Sequence, residues 1–548
     1  MWSAHEKPLW KPWAMPLERT RFNQSIPVRK MIELLSGRPG HEAMPLLLAA
    51  LRRSLSRTAV RHVSHKMNSH IVAAVEPDEM QAHLLLEHLA RRPAKLLLFG
   101  RLPASLRRHF GLQETSWPDE AERWSRSLPA PPHSEAQSAA VIHYTPQAAA
   151  FSAAHWQRPL ERFDFANEWN NLGYGAVRAD ASIWSLAMPV LATAENTLAE
   201  IVLNGRVAAA YAALFDHDTA ATLWFNRPSG PIDSFEWRLV ERFLSSWRHG
   251  GLPCQPVLHE IPWGCEAAVT MRLDCDEDIA SARALRAAYH EMNIPFSLAV
   301  HTANLGDARH RPILEEMAQS AESILSHTAT HAPNWGGSYE AALYEAKTSA
   351  DRLEAVTGQR PRYAVSPFHQ TPPCALKALS DTGYKGCIGG IIRNDPEFLL
   401  ARGGVPAGLP QSFVGHSQQC MMHGDCMRGT DDPIAIFKTA FAQAKETRTL
   451  FGYLDHPFSE RYQYGWPDET ARISTHRNFV AHIRATAPDT LFLSENDALD
   501  FLRFKSECEV HESDGSFKLR IPETGSGLLP SVEYAGNISR AAEQKTFS

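Results

Sequence analysis

The sequence of 548 residues lacks the features that mark a membrane, secreted or nucleic-acid-binding protein. No apolar run reaches about 18 residues, so we predict no membrane-spanning helix. The first residues lack the basic start and continuous apolar segment of a secretory signal, so we expect a cytoplasmic protein. The net charge is −6, whereas general nucleic-acid binders are normally basic, so we expect no nucleic-acid partner.

Cysteine is scarce, and no nucleotide-binding motif is present. The eight cysteines are scattered, which indicates free thiols in a reducing compartment rather than a disulfide framework. Neither a phosphate loop nor a Gly-x-Gly-x-x-Gly fingerprint occurs. The chain is too long for one ordinary core, so two or three domains are expected.

Short apolar runs alternate with amphipathic stretches along most of the chain, which predicts an α/β architecture. We predict an extended arm over residues 1–56, an α/β domain of unknown role over 57–255, a second α/β domain over 262–505, and a C-terminal β-hairpin with a tail over 506–548. A Pro- and Gly-rich stretch, 250–264, is predicted to be the linker between the two larger domains. The β-α-β-α series of the second domain favours a barrel-like or open parallel sheet, with its site at the C-terminal strand ends.

Four carboxylates crowd into the stretch MRLDCDED, residues 271–278, directly after the apolar run AAVTM. Like charges this close repel one another, so a cation is needed to neutralise Asp274 and Asp276 at the end of this predicted strand. Glu277 and Asp278 are expected instead to begin the following helix, where negative charge suits the helix dipole.

A pair of histidines supplies a candidate partner for these acids. The stretch SHTATHAPNW places His327 and His331 four residues apart, at the end of another predicted strand of the same domain. Two histidines and one carboxylate leave an open coordination position, as a catalytic Zn²⁺ or similar ion requires. We therefore predict a metal site at this rim.

Residues from about 262 to 505 resemble the polysaccharide deacetylase family, carbohydrate esterase family 4. Four stretches carry the resemblance in order: LDCD, SHTATHAPN, TGQRPRYAVSPFHQTPPCALKALSDTGYKG and LFGYLDHPFSERY. The resemblance implies a distorted (β/α) barrel that follows the N-terminal α/β domain. It also implies Asp274 as the general base, His456 as the general acid, and Asp276, His327 and His331 as the metal ligands.

The third motif departs from the family pattern. The family usually has an Arg two residues before the Pro and Tyr-Gly after it, whereas this chain has Val365 before Pro367 and Phe368-His369 after it. That arginine orients the catalytic Asp in the family. The candidates to replace it here are Arg272, Arg362 and Arg393.

The fourth motif, an Asp that partners the catalytic His beside a Trp, is not visible in the sequence. Asp395 and Asp455 are the candidates for its role. These departures predict a divergent family member with a distinct substrate.

Four residues are predicted to contact the substrate. They are Trp335, Pro367, His369 and Arg272. An aromatic face at Trp335 suits a pyranose ring, although burial in the barrel wall is an equally good interpretation. His369 either contacts substrate at the rim or packs in its loop.

The sequence thus predicts a metal-dependent N-deacetylase that hydrolyses the acetamido group of an N-acetylated sugar. Zn²⁺ is the expected ion, and Co²⁺ or Ni²⁺ would suit the same ligands. The expected cytoplasmic location favours a lipid-linked or nucleotide-linked saccharide precursor, as in surface-polysaccharide or O-antigen assembly. Two alternatives stay open: an amidohydrolase of the same fold acting on a cyclic amide, and a glycan-binding barrel without turnover.

Overall fold

The structure of the protein is a computed structural model, and most of the chain is described by it. The described residues are 29–64, 67–119, 121, 140–154, 156–159, 181–389, 402–418, 420–422, 424, 432–459, 463–513, 516–523, 527–542 and 546–547.

A mixed nine-stranded sheet forms the N-terminal part of the protein. The strands of this part are β1 (Arg29–Ser36), β2 (Val60–His62), β3 (Ser69–Val75), β4 (Ala94–Phe99), β5 (Gln113–Glu114), β6 (Ala140–Tyr144), β7 (Gln157–Pro159), β8 (Val190–Leu191), β9 (Thr197–Leu203), β10 (Arg206–His217) and β11 (Ala220–Phe225). The sheet order is β2-β1-β3-β4-β11-β10-β9-β6-β7, and β5 pairs separately with β8. Its first five strands are parallel, and the remaining pairs are antiparallel.

Helices cover both faces of this sheet. They are α1 (Ala43–Leu55), α2 (Glu79–Arg91), α3 (Ala104–His109) and α4 (Ser234–Ser245). Helix α1 packs with Ile32 and Leu34 of β1 on one face, while α2 packs with Leu35 and Val72 on the other. The alternation of buried residues along β1 therefore serves two separate cores.

Two segments differ from the predictions. Residues 29–55, predicted within an extended arm over 1–56, form β1 and α1, because Ile32 and Leu34 alternate on the sheet and the apolar residues of α1 fit a helical face. The predicted linker contains a buried strand, β12 (Val257–Pro262), which pairs with a strand near the C-terminus. Residues 1–28 of the arm lie outside the described residues.

A curled sheet of parallel strand pairs forms the second domain, called here the barrel domain (residues 257–507). Its strands are β13 (Ala267–Cys275), β14 (Ser297–Val300), β15 (Ser323–Ser326), β16 (Tyr363–Val365), β17 (Gly386–Gly389), β18 (Val414–Ser417), β19 (Cys420–Met421), β20 (Phe451–Asp455) and β21 (Thr490–Leu493). Its helices are α5 (Arg283–Glu291), α6 (Arg311–Met317), α7 (Tyr339–Thr357), α8 (Pro373–Asp381), α9 (Ala435–Thr447), α10 (Glu469–Thr486) and α11 (Glu495–Glu507).

Strand β13 is the centre of the barrel domain. It pairs in parallel with β14, β20 and β21, and from β14 the sheet continues in chain order to β18. All nine residues of β13 are buried, as is typical of a central parallel strand that is covered on both sides. The predicted α/β fold class, a barrel-like domain after an N-terminal α/β domain, is confirmed.

The C-terminal segment adds short antiparallel strands. They are β22 (Glu509–Ser513), β23 (Ser516–Arg520), β24 (Pro530–Tyr534), β25 (Asn537–Arg540) and β26 (Thr546–Phe547). The predicted hairpin is β22–β23, and β26 joins its edge, while β24 and β25 complete a sheet with β12. Described residues of the predicted tail are therefore paired in a sheet, because β24 forms an antiparallel ladder with β12 and its first four residues are buried.

No helix among the described residues has both the length and the apolarity needed to cross a bilayer.

Buried charges join the two domains. The carboxylate of Glu241 in α4 accepts two hydrogen bonds from the guanidinium of Arg402, at 2.8 Å each, and both side chains are fully buried. Glu533 of β24 accepts from Arg238 of α4 at 2.5 Å and contacts His259 of β12 at 3.0 Å. The N-terminal helix α4 and the barrel domain therefore share one desolvated ion-pair network.

We predict that Arg402→Met destabilises the whole protein. Removal of one partner leaves the Glu241 carboxylate buried and uncompensated, which costs about 3–5 kcal/mol. Chemical denaturation followed by circular dichroism measures the loss. Arg91→Met is the control, because Arg91 and its partner Glu87 are 74% and 55% exposed, and it should not change the midpoint. Equal midpoints for Arg402→Met and the control would contradict the role of this pair.

Candidate metal centre

One rim of the barrel domain collects the residues that follow its strands. Asp276, His327 and His456 are the first residues after β13, β15 and β20 respectively. Because the strands of this sheet are parallel, their C-terminal ends share one edge. Stretches separated by about 50 and 130 residues in the sequence therefore meet.

The structure brings Asp276, His327 and His331 together. Oδ1 of Asp276 lies 3.2 Å from Nε2 of His327 and 3.3 Å from Nε2 of His331. The two Nε2 atoms are 3.1 Å apart. Among the described residues, this trio is the one group of three or more histidine, cysteine or acidic side chains whose ligand atoms could hold one ion.

Local backbone and hydrogen bonding orient the two imidazoles. Nδ1 of His327 lies 3.1 Å from the carbonyl oxygen of Val365, so it carries the proton and leaves the Nε2 lone pair facing the site. Thr328 and His331 have left-handed φ values of 67° and 54°, which L-residues other than glycine adopt at a cost. This tight turn brings both rings to the same side.

The electrostatics of the trio favour a bound cation. Burial lowers the pKa of His327, but the carboxylates of Asp274 and Asp276 together raise it above its ordinary value. Oδ1 of Asp276 is a buried atom that accepts no hydrogen bond of normal geometry from a described residue. Two imidazole nitrogens and one carboxylate oxygen that converge in this way fit a divalent ion such as Zn²⁺.

Arg272 binds Asp274, the first acid of the cluster. Its Nε donates to Oδ1 of Asp274 at 2.7 Å and its Nη2 donates to Oδ2 at 3.2 Å, a forked contact between two buried side chains of β13. Burial raises the pKa of Asp274, but the guanidinium of Arg272 more than offsets this, so the pKa lies below its ordinary value. Asp274 is therefore a charged carboxylate.

Of the three candidates for the missing third-motif arginine, Arg272 is the one that contacts Asp274 among the described residues. It lies two residues before Asp274, on the same face of β13, and it also donates to Gln418 and lies 3.7 Å from Glu495. Arg362 instead pairs with Asp500, and its side chain is 47% exposed. Arg393 and Asp395 lie outside the described residues.

His456 follows β20, the strand that pairs with β13 on the side away from β14, and its side chain faces the metal trio. Its Nε2 lies 3.7 Å from Oδ2 of Asp276. The backbone N–H of His456 donates to Oδ1 of Asp455 at 2.7 Å, and its carbonyl accepts from Arg472 at 2.8 Å. Asp455 therefore fixes the backbone that carries His456, and it does so beside a tryptophan, Trp466, whose indole N–H donates to it at 3.3 Å.

A buried hydrogen-bond chain supports Asp455. His476 lies 3.0 Å from Oδ2 of Asp455 through Nε2 and 2.8 Å from the Tyr289 hydroxyl through Nδ1, and that hydroxyl lies 2.7 Å from Tyr453. Burial raises the pKa of Asp455, but Arg472 and His476 outweigh it and lower the pKa below its ordinary value. The side chains that support His456 therefore form a buried hydrogen-bond network that contains the charged carboxylate of Asp455.

The loop after β16 completes the rim. Pro367 and His369 are buried, while Phe368 between them is 38% exposed, and its ring lies 4.6 Å from that of His331. Burial lowers the pKa of His369 to about 3, so its imidazole is neutral. Phe368 and His369 have φ values of 51° and 54°, so the side chains at this rim are held in strained backbone.

Trp335 presents no ring to a substrate, so its predicted role as a sugar platform is wrong and the alternative interpretation, burial in the barrel wall, fits the structure. The side chain is fully buried, packs against Ala342 and Ala346 of α7, and donates its indole N–H to the carbonyl of Gln370 at 3.0 Å. Both ring faces are covered by protein, so no pyranose can stack there.

Three residues of the site were not predicted from the sequence. His301, the first residue after β14, contacts the carbonyl of Asp276 through Nδ1 at 2.9 Å, and Asn304 donates to the same carbonyl at 2.9 Å. Tyr464 donates to Oδ2 of Asp276 at 3.3 Å. His301 could have been predicted as a site residue, because it directly follows a predicted strand of the same sheet. No sequence pattern around Tyr464 indicated its place in the site.

A protein-family comparison matches part of the barrel domain. The family model described as polysaccharide deacetylase matches residues 282–387, a segment that contains His327 and His331 but not Asp274, Asp276 or His456. The resemblance to polysaccharide deacetylases is confirmed for this segment. No curated protein matches the chain.

Several solved structures are similar to a part of this chain. A probable polysaccharide deacetylase from Pseudomonas aeruginosa PAO1 is 13% identical, with coverage of 46% of this chain and 95% of that one, at a TM-score of 0.35. Puue allantoinase is 13% identical, with coverage of 44% and 92%, at a TM-score of 0.35. A family 4 acetyl xylan esterase from Clostridium thermocellum, solved in complex with cobalt, is 11% identical, with coverage of 42% and 89%, at a TM-score of 0.29.

We predict that the purified protein binds one divalent ion per chain and that this binding requires the trio. Asp276→Asn or His331→Ala removes a ligand, so either should abolish stoichiometric binding in a Zn²⁺ titration followed by metal analysis. His290→Ala is the control, because His290 lies on the surface against Glu322. Retention of one Zn²⁺ per chain in both ligand variants would rule out this centre.

Proposed function

We propose that the protein is a metal-dependent N-deacetylase that hydrolyses the acetamido group of an N-acetylated sugar. The observation that carries the proposal is the meeting of Asp276, His327 and His331 at one point of the rim, with Asp274 and His456 beside them. The polysaccharide deacetylase match over 282–387 supports the reaction class.

A divalent ion held by the trio would supply Lewis acidity, which polarises a carbonyl group and acidifies water. The donor set suits Zn²⁺, which we propose as the resident ion, and Co²⁺ or Ni²⁺ would fit the same ligands. Three protein ligands leave the fourth position of a tetrahedral ion for water or substrate.

Asp274 is the proposed general base. Its carboxylate is held in the charged form by the forked contact with Arg272, so it can accept a proton from the attacking water. The water oxygen forms the new bond to the amide carbon. Arg272 also fixes the direction in which the carboxylate points, which makes it a positioning residue.

His456 is the proposed general acid. An amine is a poor leaving group unless its nitrogen is protonated, so a proton from Nε2 of His456 must reach the amide nitrogen as the C–N bond breaks. Acetate and a free amino sugar are the products. Asp455 and Arg472 bind the backbone of His456 and keep its ring at the rim.

The substrate is proposed to be a saccharide precursor carried on a lipid or a nucleotide, as in surface-polysaccharide or O-antigen assembly, in the cytoplasm. The exposed ring of Phe368 beside His331 supports a sugar substrate, because aromatic faces pack against pyranose rings. Pro367 shapes the same loop from its buried position.

A second candidate function is hydrolysis of a cyclic amide on the same centre. The altered third motif favours it, since Phe368-His369 replaces the usual Tyr-Gly and changes the rim. A glycan-binding protein without turnover is disfavoured, because Asp274 and His456 both stand beside the trio.

The deciding experiment measures amine release from N-acetylglucosamine oligosaccharides and ring opening of hydantoin to N-carbamoylglycine, each with Zn²⁺-loaded protein. Amine release from the oligosaccharides supports the deacetylase, and ring opening of hydantoin without amine release from the oligosaccharides supports the cyclic amidase. Asp274→Asn and His456→Gln should each lower kcat by about 10²–10⁴ with Zn²⁺ retained. Asp307→Asn is the surface control. Glycan binding without any turnover would contradict both enzymatic proposals.

Arg272→Lys should lower kcat by about 10- to 100-fold although the charge is kept. Lysine cannot reproduce the fork that holds both carboxylate oxygens of Asp274, so the base loses its orientation. The readout is kcat at saturating substrate. Arg309→Lys is the control, since Arg309 pairs with an aspartate two residues away on the surface, where Nε and Nη2 both donate to Oδ2 of Asp307. Unchanged kcat in Arg272→Lys would remove Arg272 from the mechanism.

A further inference from the structure

A strained turn follows the loop after β20 and contains Tyr464. Tyr464 has a left-handed φ of 46° and is followed by Gly465 at 75°. A tyrosine in this region persists only where its surroundings fix it, and such residues concentrate at functional sites. The turn therefore needs a specific explanation.

The surroundings hold this turn on both sides. The backbone N–H of Gly424 donates to the carbonyl of Tyr464 at 3.0 Å, and a Cβ on Gly424 would lie 2.1 Å from the carbonyl carbon of Gly465. Trp466, at the other end of the turn, is buried and bound to Asp455. The backbone of Tyr464 is thus clamped between two neighbouring segments.

The side chain of Tyr464 makes two contacts inside the site. Its hydroxyl donates to Oδ2 of Asp276 at 3.3 Å. Its ring stacks on the imidazole of His456, with ring centroids 4.0 Å apart and planes 10° from parallel. One side chain therefore touches both a proposed metal ligand and the proposed acid.

The two carboxylate oxygens of Asp276 have different partners. Oδ1 faces Nε2 of His327 and of His331 at 3.2 and 3.3 Å, while Oδ2 accepts from Tyr464. A hydrogen bond to the second oxygen of a ligating carboxylate fixes which oxygen is offered to the ion. A simple packing role for Tyr464 would not require its hydroxyl at this position.

We propose that Tyr464 is a positioning residue with two separable actions. Its hydroxyl orients the Asp276 carboxylate toward the histidines, and its ring holds the imidazole of His456 at the rim. This inference rests on the proposed function, because it assigns Tyr464 to the same metal centre and the same acid.

Two substitutions separate these actions. Tyr464→Phe keeps the ring and removes the hydroxyl, so the affinity for Zn²⁺, measured by competition with a chromophoric chelator, should fall about 10- to 100-fold. At saturating Zn²⁺, kcat should return to near the wild-type value. Tyr464→Leu removes the ring as well, so its kcat should stay about 10-fold low at saturating Zn²⁺, with KM unchanged.

Tyr344→Phe is the matched control, because Tyr344 is 54% exposed on α7. Circular dichroism checks the fold, and Tyr464→Phe carries the test alone if Tyr464→Leu does not fold. Wild-type affinity for Zn²⁺ in Tyr464→Phe overturns the hydroxyl assignment, and equal kcat for the Phe and Leu variants overturns the ring assignment. A wild-type protein that binds no Zn²⁺ overturns the proposed function itself, which is a distinct result.

Discussion

The structure of the rim depends on neutralising the carboxylates that crowd the C-terminal end of β13. Asp274 is matched by the fork of Arg272, Asp276 faces two imidazoles, and Asp278 lies near His310 and accepts the N–H of Ser281. Three of the four acids of the cluster thus have different partners. Asp276 faces two imidazoles, whose nitrogens offer lone pairs to an ion, whereas the guanidinium that holds Asp274 offers none.

The parallel sheet turns this local charge balance into a site. The first residues after β13, β14, β15 and β20 reach the same rim, although they are far apart in the sequence. Below them, the buried chain from Asp455 to Tyr453 fixes the acid side, and Gln418 and Glu495 surround the arginine on the base side. The barrel core therefore supplies rigid positions, while strained loops supply the exposed surface.

The strand ends that carry the metal trio could be predicted, because they follow from the local pattern of apolar and polar residues. The apolar run before Asp274 and the four-residue spacing of His327 and His331 locate strand ends, and parallel strands bring such ends together. The replacement of the missing arginine by Arg272 required coordinates, since a residue two positions from Asp274 shares its face only if β13 is regular there. Burial of Trp335 and the approach of Tyr464 depend on loop conformation, which sequence pattern does not specify. The strand β1 was missed because residues 29–36 lie next to an irregular Pro- and Trp-rich stretch.

The most direct test of the proposed metal centre is X-ray absorption spectroscopy at the zinc edge of the Zn²⁺-loaded full-length protein. Coordination by Asp276, His327 and His331 predicts nitrogen and oxygen neighbours at about 2.0–2.1 Å that include two imidazoles and a carboxylate, with one imidazole contribution lost in His327→Ala. A shell without imidazole scattering, or one unchanged by that substitution, would contradict it.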